Sequence, residues 1–173
     1  MYKRFAFEGD IHASLECVPL TVRRKLDLAA LKVSLAGWQQ LTREERLCLC
    51  HLPVDSAEEV AVYREVMLGF CRRREVPCKP LEDVRVADHA WNATTVPEEL
   101  STRAGELGAG LTVDRWMRLD EESRYALFKL ADPKRGSEKL EAALVELGLL
   151  AGEAPVLRPS VSVCDAMAGR PGS

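Results

Sequence analysis

Residues 18–52 read VPLTVRRKLDLAALKVSLAGWQQLTREERLCLCHL, and residues 96–130 read VPEELSTRAGELGAGLTVDRWMRLDEESRYALFKL. Overlaid at an offset of 78 positions, without a gap, they share eight of 35 residues, where chance gives roughly two. Val18-Pro19 falls on Val96-Pro97, Trp38 on Trp116, Leu41 on Leu119, Glu44 on Glu122, Arg46 on Arg124, Leu49 on Leu127 and Leu52 on Leu130. Chemically similar pairs extend the match: Lys25 over Arg103, Val33 over Leu111, Ser34 over Thr112 and Thr42 over Asp120.

The repeated stretch reads as helices. Pro19 suits the first turn of a helix, where its missing N–H costs nothing, and Val22, Leu26, Ala29 and Ala30 follow at helical spacing. Ser34 is placed to cap a short helix carrying Leu35, Trp38 and Leu41. Thr42 with Glu45, and Ser56 with Glu59, form capping boxes opening two further helices, the first stopped by Pro53. Val60, Tyr63, Met67 and Phe70 make the apolar stripe of the fourth helix. The second half follows the same plan. Pro97 opens one helix, Thr112 caps the Trp116 helix, Asp120 caps the helix through Leu130, and Ser137 opens a last helix with Leu140, Ala143, Leu147 and Leu150 on one face.

Ahead of the repeat, residues 5–17 form a leader in which Asp10 caps a short helix holding Ile11 and Leu15. Strand signals are nearly absent, and Val84–Val86 is too short to argue from. The expected fold is all-α: one domain over 1–152, built from two pseudo-twofold related four-helix repeats. Repeat one spans about 18–71 and repeat two about 96–150, with 72–95 as connector, Trp91 tucked against the core, and 153–173 a flexible tail.

Composition narrows the function classes. The net charge is −3 and 47% of residues are apolar, enough for a core and without the basic footprint of a nucleic-acid binder. No apolar run reaches the length of a membrane span, and Met1–Glu8 has no sustained apolar stretch of a signal peptide. Cytoplasmic residence is therefore expected, with the six cysteines as reduced thiols. Cys48, Cys50 and His51, with Cys71 and Cys78, suggest a metal nest. However, positions i and i+2 on a helix point about 200° apart, and there is no Cys-x-x-Cys pair. The repeat sets Ala126 and Phe128 over Cys48 and Cys50, which marks these thiols as space-filling. His12, His51 and His89 are scattered, and Gly105, Gly108 and Gly110 follow a helix, so no phosphate-binding loop is present. Arg72–Arg74 reads as a solvated basic turn favouring the helix dipole, and the two aligned tryptophans as core anchors.

The repeat is broken where repeat one has Val22-Arg-Arg-Lys-Leu-Asp27 and repeat two has Leu100-Ser-Thr-Arg-Ala-Gly105. Arg23 and Asp27 stand at i, i+4, the spacing of a surface ion pair, and the second copy folds without them. They form either such a pair or part of a patch facing a partner.

Phe5-x-Phe-Glu-x-Asp10, Leu15-x-Cys-Val-Pro19, Val22-Arg-x-Lys-Leu-Asp27, Lys32-Val-Ser-Leu and Trp38-x-x-Leu41 together resemble the nitrate reductase-associated proteins, small soluble proteins best represented in cyanobacteria. The resemblance runs from about Phe5 to Leu150 and is densest over 5–41. It implies a non-catalytic accessory or maturation factor that binds nitrate reductase and supports its assembly or cofactor loading. The implied partner-binding residues are Glu8, Asp10, Arg23, Arg24, Lys25, Asp27 and Lys32, with no cofactor of its own and no nucleic-acid or membrane partner. The other reading is a small metal- or molybdenum-cofactor-binding carrier or enzyme, using Cys17 with His12 or the Cys48–His51 stretch.

Overall fold

The computed structural model describes residues 2–81, 90–91 and 94–152. Val84–Val86, His89 and the 153–173 tail with Cys164 lie outside the described residues. The chain is mostly helical and divides into two compact units.

Among the described residues the first unit holds 2–4 and 10–81. Its helices are α1 (Ile11–Ser14), α2 (Leu20–Leu28), α3 (Leu35–Gln40), α4 (Arg43–His51) and α5 (Ala57–Arg73). Two short strands, β1 (Leu31–Val33) and β2 (Cys78–Pro80), pair antiparallel with Leu31 opposite Pro80, Lys32 opposite Lys79 and Val33 opposite Cys78. This small ribbon is an addition to the mostly helical fold that the sequence leads one to expect. Three residues are too few to display a two-residue period, and β2 contains a proline, so neither strand announces itself.

The caps form as the sequence requires. The Ser34 hydroxyl accepts from Gly37 N–H, and Thr42–Glu45 and Ser56–Glu59 both close complete capping boxes. Asp10 sits at the N-cap of α1, but its side chain makes no capping bond. Along α5 the stripe turns by one residue at its end. Tyr63, Met67 and Cys71 are buried, while Phe70 is only half-buried. Tyr63 and Cys71 are eight positions apart, so the core side of the helix continues to Cys71.

The core of this unit gathers Leu15, Val22, Leu26, Trp38, Leu49 and Met67. Trp38 is wholly buried, and its indole N–H donates to the Leu15 carbonyl at 2.7 Å. Arg46 Nη1 donates to the same carbonyl at 2.8 Å. Leu15 itself stands at φ 54°, so this doubly held carbonyl anchors a left-handed turn that ends α1.

The second unit holds 5–9, 90–91 and 94–152 among the described residues. It contains a 3-10 turn (Ala6–Glu8) and helices α6 (Glu98–Glu106), α7 (Val113–Arg118), α8 (Glu121–Leu130) and α9 (Ser137–Glu146). Thr112 and Asp120 cap α7 and α8 by accepting from Arg115 N–H and Ser123 N–H. The backbone N–H groups of Ala6 and Phe7 both donate to the Glu146 carboxylate at 2.9 Å, joining the leader to the end of α9. Gly108 (φ 77°) and Gly148 (φ 68°) reverse the chain after α6 and α9, and Leu149 N–H returns to Leu144 O. Helix α9 therefore stops at Glu146, and Leu149 instead of Leu147 is buried. Trp116 is buried, as is Trp91, whose ring stands edge-on to Tyr125 at 5.0 Å while its N–H donates to Glu121.

Candidate interaction surface

Lys25 is the most informative of the candidate partner-binding residues. It follows Val22 by three positions, on the face of α2 that Leu26 and Ala29 also bury. Only 5% of it is exposed, and its Nζ donates to the Cys50 and Leu52 carbonyls, each at 2.6 Å. These carbonyls end α4, where no intrahelical partner remains and a cation is favoured. Arg103, the residue aligned with Lys25, donates to the Leu130 carbonyl at the end of α8 and to the Asp132 and Arg135 carbonyls beyond it. Leu52 and Leu130 are themselves aligned. The same kind of contact recurs at Arg64, which donates to the Ala29 and Ala30 carbonyls at the end of α2.

Burial removes further candidates from the surface. Arg24 is buried on α2, and Glu8 is buried in the second unit. Arg23 is half-buried, with Nε donating to the Val18 carbonyl at 3.3 Å, and Asp27 is half-buried. Asp10 and Lys32 are exposed. Lys32 points outward from β1, directly opposite the exposed Lys79 of β2. Directly opposed residues of an antiparallel pair project from one face, so the two lysine side chains leave the ribbon side by side, at a position where like charges weaken it. Sequence reasoning missed Lys79, because only the strand register brings it beside Lys32.

Among the residues of the other reading, His12 Nδ1 is hydrogen-bonded to the Tyr2 hydroxyl at 2.7 Å. The Tyr2 ring stands edge-on to both His12 and His51, with centroids 5.6 and 5.3 Å apart. Cys48 is exposed and Cys50 buried, on different sides of α4. Cys17 is buried and disulfide-bonded, which corrects the expectation of six free thiols. Among the described residues no group of three or more His, Cys, Asp or Glu side chains is placed to hold a metal ion.

Arg72–Arg74 is more than a solvated turn. Arg74 Nε lies 3.2 Å from the buried Glu45 carboxylate and Arg73 Nη1 lies 3.6 Å from it, so the end of α5 is tied to the start of α4. Nearby, the Glu44 carboxyl is held below the usual carboxylate range by backbone N–H bonding at the start of α4 and by the Thr42 hydroxyl.

Comparison with known families decides the relationship. The sequence profile of the conserved nitrate reductase-associated proteins matches residues 4–147. The chain belongs to this family. No curated protein and no solved structure matches it. The matched span of this nitrate reductase-associated protein includes the leader, α2 with its charged run, and the Lys32–Lys79 ribbon. No helix among the described residues is long and apolar enough to cross a membrane.

Proposed function

We propose that this protein is a non-catalytic, cytoplasmic accessory factor that binds nitrate reductase and supports its assembly or cofactor loading. The observation that carries this reading is the family match over 4–147. The recognition surface lies on the first unit and is narrower than the charge pattern alone implies: Asp10, Arg23, Asp27 and Lys32, joined by Lys79. Lys25, Arg24 and Glu8 serve the fold. The repulsion between Lys32 and Lys79 supports a role outside folding, since an acidic partner surface would relieve it. Binding to an open, cofactor-ready form of the reductase would favour that form over the closed one by the difference in affinity.

We read the two units as copies of one four-helix plan. The aligned caps at Ser34 and Thr112 and the aligned roles of Lys25 and Arg103 support this. Charges present in only the first copy are then the ones available for recognition.

The test is affinity capture of the tagged protein from its own host grown on nitrate, with a Lys32→Glu, Lys79→Glu variant as control. Recovery of nitrate reductase with the native protein, and its depletion with the variant, supports the reading. Equal recovery with both places recognition elsewhere, and absence of the reductase from both refutes the accessory role.

A further inference from the structure

The outer face of α5 carries a stripe that packing within the chain does not explain. At about 100° per residue, Glu58, Val62, Val66, Gly69 and Arg73 fall on one side of the helix, away from the buried Tyr63, Met67 and Cys71. Val62 is 56% exposed, the large hydrophobic of the first unit that stands in water among the described residues. Val66 and Gly69 are half-buried. Gly69 lies in the interior of a 17-residue helix, where glycine is the weakest helix former after proline. Its φ is not positive, and among the described residues a Cβ built there meets nothing within 4 Å beyond its own stretch of helix. Neither conformation nor packing within the chain calls for glycine. The missing side chain leaves a shallow recess two turns along from Val62.

Charge runs in one direction along the same face. Glu58 is exposed in the first turn, where backbone N–H bonding and the Ser56 hydroxyl hold its carboxyl below the usual range. Arg73 ends the helix with 67% of its side chain exposed. Its guanidinium carries five donors, and among the described residues its ionic contact is Nη1 at 3.6 Å from Glu45.

We propose that this face of α5 is a homodimer interface, in which two copies of the chain pair antiparallel about a twofold axis crossing the helix between Glu65 and Val66. That axis sets Val62 of each copy on Gly69 of the other, and Glu58 of each on Arg73 of the other. An exposed apolar side chain fills an unexplained recess twice, and an opposite-charge pair closes each end. The axis falls near the middle of a helix about 25 Å long, so the pairing uses its full length. Parallel pairing would instead set Glu58 beside Glu58 and Arg73 beside Arg73. The stripe is therefore self-complementary in the antiparallel sense that a twofold contact requires. Glu65 is exposed to one side of this seam. One helix pair is a small interface, so a dissociation constant in the micromolar range is expected.

Sedimentation velocity of the purified full-length chain, from low micromolar to submillimolar concentration, tests this. The expected result is a weight-average mass that rises with concentration towards twice that of the chain. Gly69→Gln fills the recess in both copies. It should abolish association while the melting temperature holds or rises, since the position has room and glutamine is the better helix former. Glu58→Arg turns both end pairs repulsive and should weaken the dimer about tenfold. Val62→Ser, at a position already in water, reads the same contact should Gly69→Gln not fold, and it too should dissolve the dimer. A chain that stays monomeric at every concentration would overturn the proposal. So would a dimer that a folded Gly69→Gln leaves intact, or one dissolved instead by Met117→Ser on the exposed Val113 and Met117 side of α7.

Discussion

Replacing Lys25 with methionine tests whether this residue holds the fold or faces a partner. The substitution keeps an unbranched stem of similar length and removes the ammonium. Two charge-assisted hydrogen bonds to Cys50 O and Leu52 O are lost. At about 1.5–3 kcal/mol each, with a further 0.3–1 kcal/mol or so from the helix C-terminus, the gross loss is about 3–7 kcal/mol. Relief of the buried ammonium's desolvation returns several kcal/mol of this. A net destabilisation of about 2–3 kcal/mol is expected. Urea unfolding followed by far-ultraviolet circular dichroism would report it as a midpoint lowered by about 1 M or more, for a slope of about 1–3 kcal/mol per M. Lys25→Arg should lie within about 1 kcal/mol of the native protein, because Arg103 already does this work at and beyond the end of α8 with a longer fork. A Lys25→Met change below about 0.5 kcal/mol would show that the α4 carbonyls do not depend on Lys25 and would refute the reasoning. The consequence for function is direct: charge reversal at Lys25 reports stability before it reports binding.

Gly37→Ala would set a Cβ 2.7 Å from Val76 Cγ1 and 3.1 Å from Val33 Cγ2; a loss of about 1–3 kcal/mol is expected, recovered in part by Val76→Ala in a double-mutant cycle of melting temperatures. Tyr63 is wholly buried and its hydroxyl has no hydrogen-bond partner among the described residues, so Tyr63→Phe should be neutral or stabilising by up to about 1 kcal/mol in thermal melts; a loss above about 1 kcal/mol would reveal a partner for the hydroxyl. Burial also raises the Tyr63 phenol well above its usual value near 10. The unfolded chain then releases this proton first, so the stability it contributes is complete below about pH 10 and is lost as pH climbs towards the folded value. Tyr63→Phe should flatten that alkaline decline in a stability–pH series, and an unchanged slope would contradict the assignment. Lys32→Glu should leave the melting temperature unchanged or slightly raised, since it sets opposite charges across the ribbon.

The helices were legible because their punctuation is local. Ser34, Thr42–Glu45, Ser56–Glu59, Thr112 and Asp120 each cap where the sequence places them, and a cap needs only residues three positions apart. The end of α9 was less legible. Apolar spacing ran on to Leu150, but Gly148 takes a positive φ and turns the chain two residues after Glu146. The ribbon was invisible, because its pairing joins residues 45 to 49 positions apart and each strand has three residues. The candidate surface suffered from the same limit. Charge in the Val22–Asp27 run suggested a patch, but helical phase turns Lys25 inward and Arg23 only partly out, and register alone brings Lys79 to Lys32. The alignment of Lys25 with Arg103 was the available signal that this lysine belongs to the fold: a basic residue kept in both copies, one turn after the apolar start of its helix.

The most direct measurement is the equilibrium binding of purified nitrate reductase, in cofactor-free and loaded forms, to the native protein and to Lys32→Glu. The cofactor-free form should bind more tightly than the loaded form. Lys32→Glu should weaken that binding about tenfold, roughly 1.4 kcal/mol, at an unchanged melting temperature. Undetectable binding of either reductase form to the well-folded native protein would contradict the account.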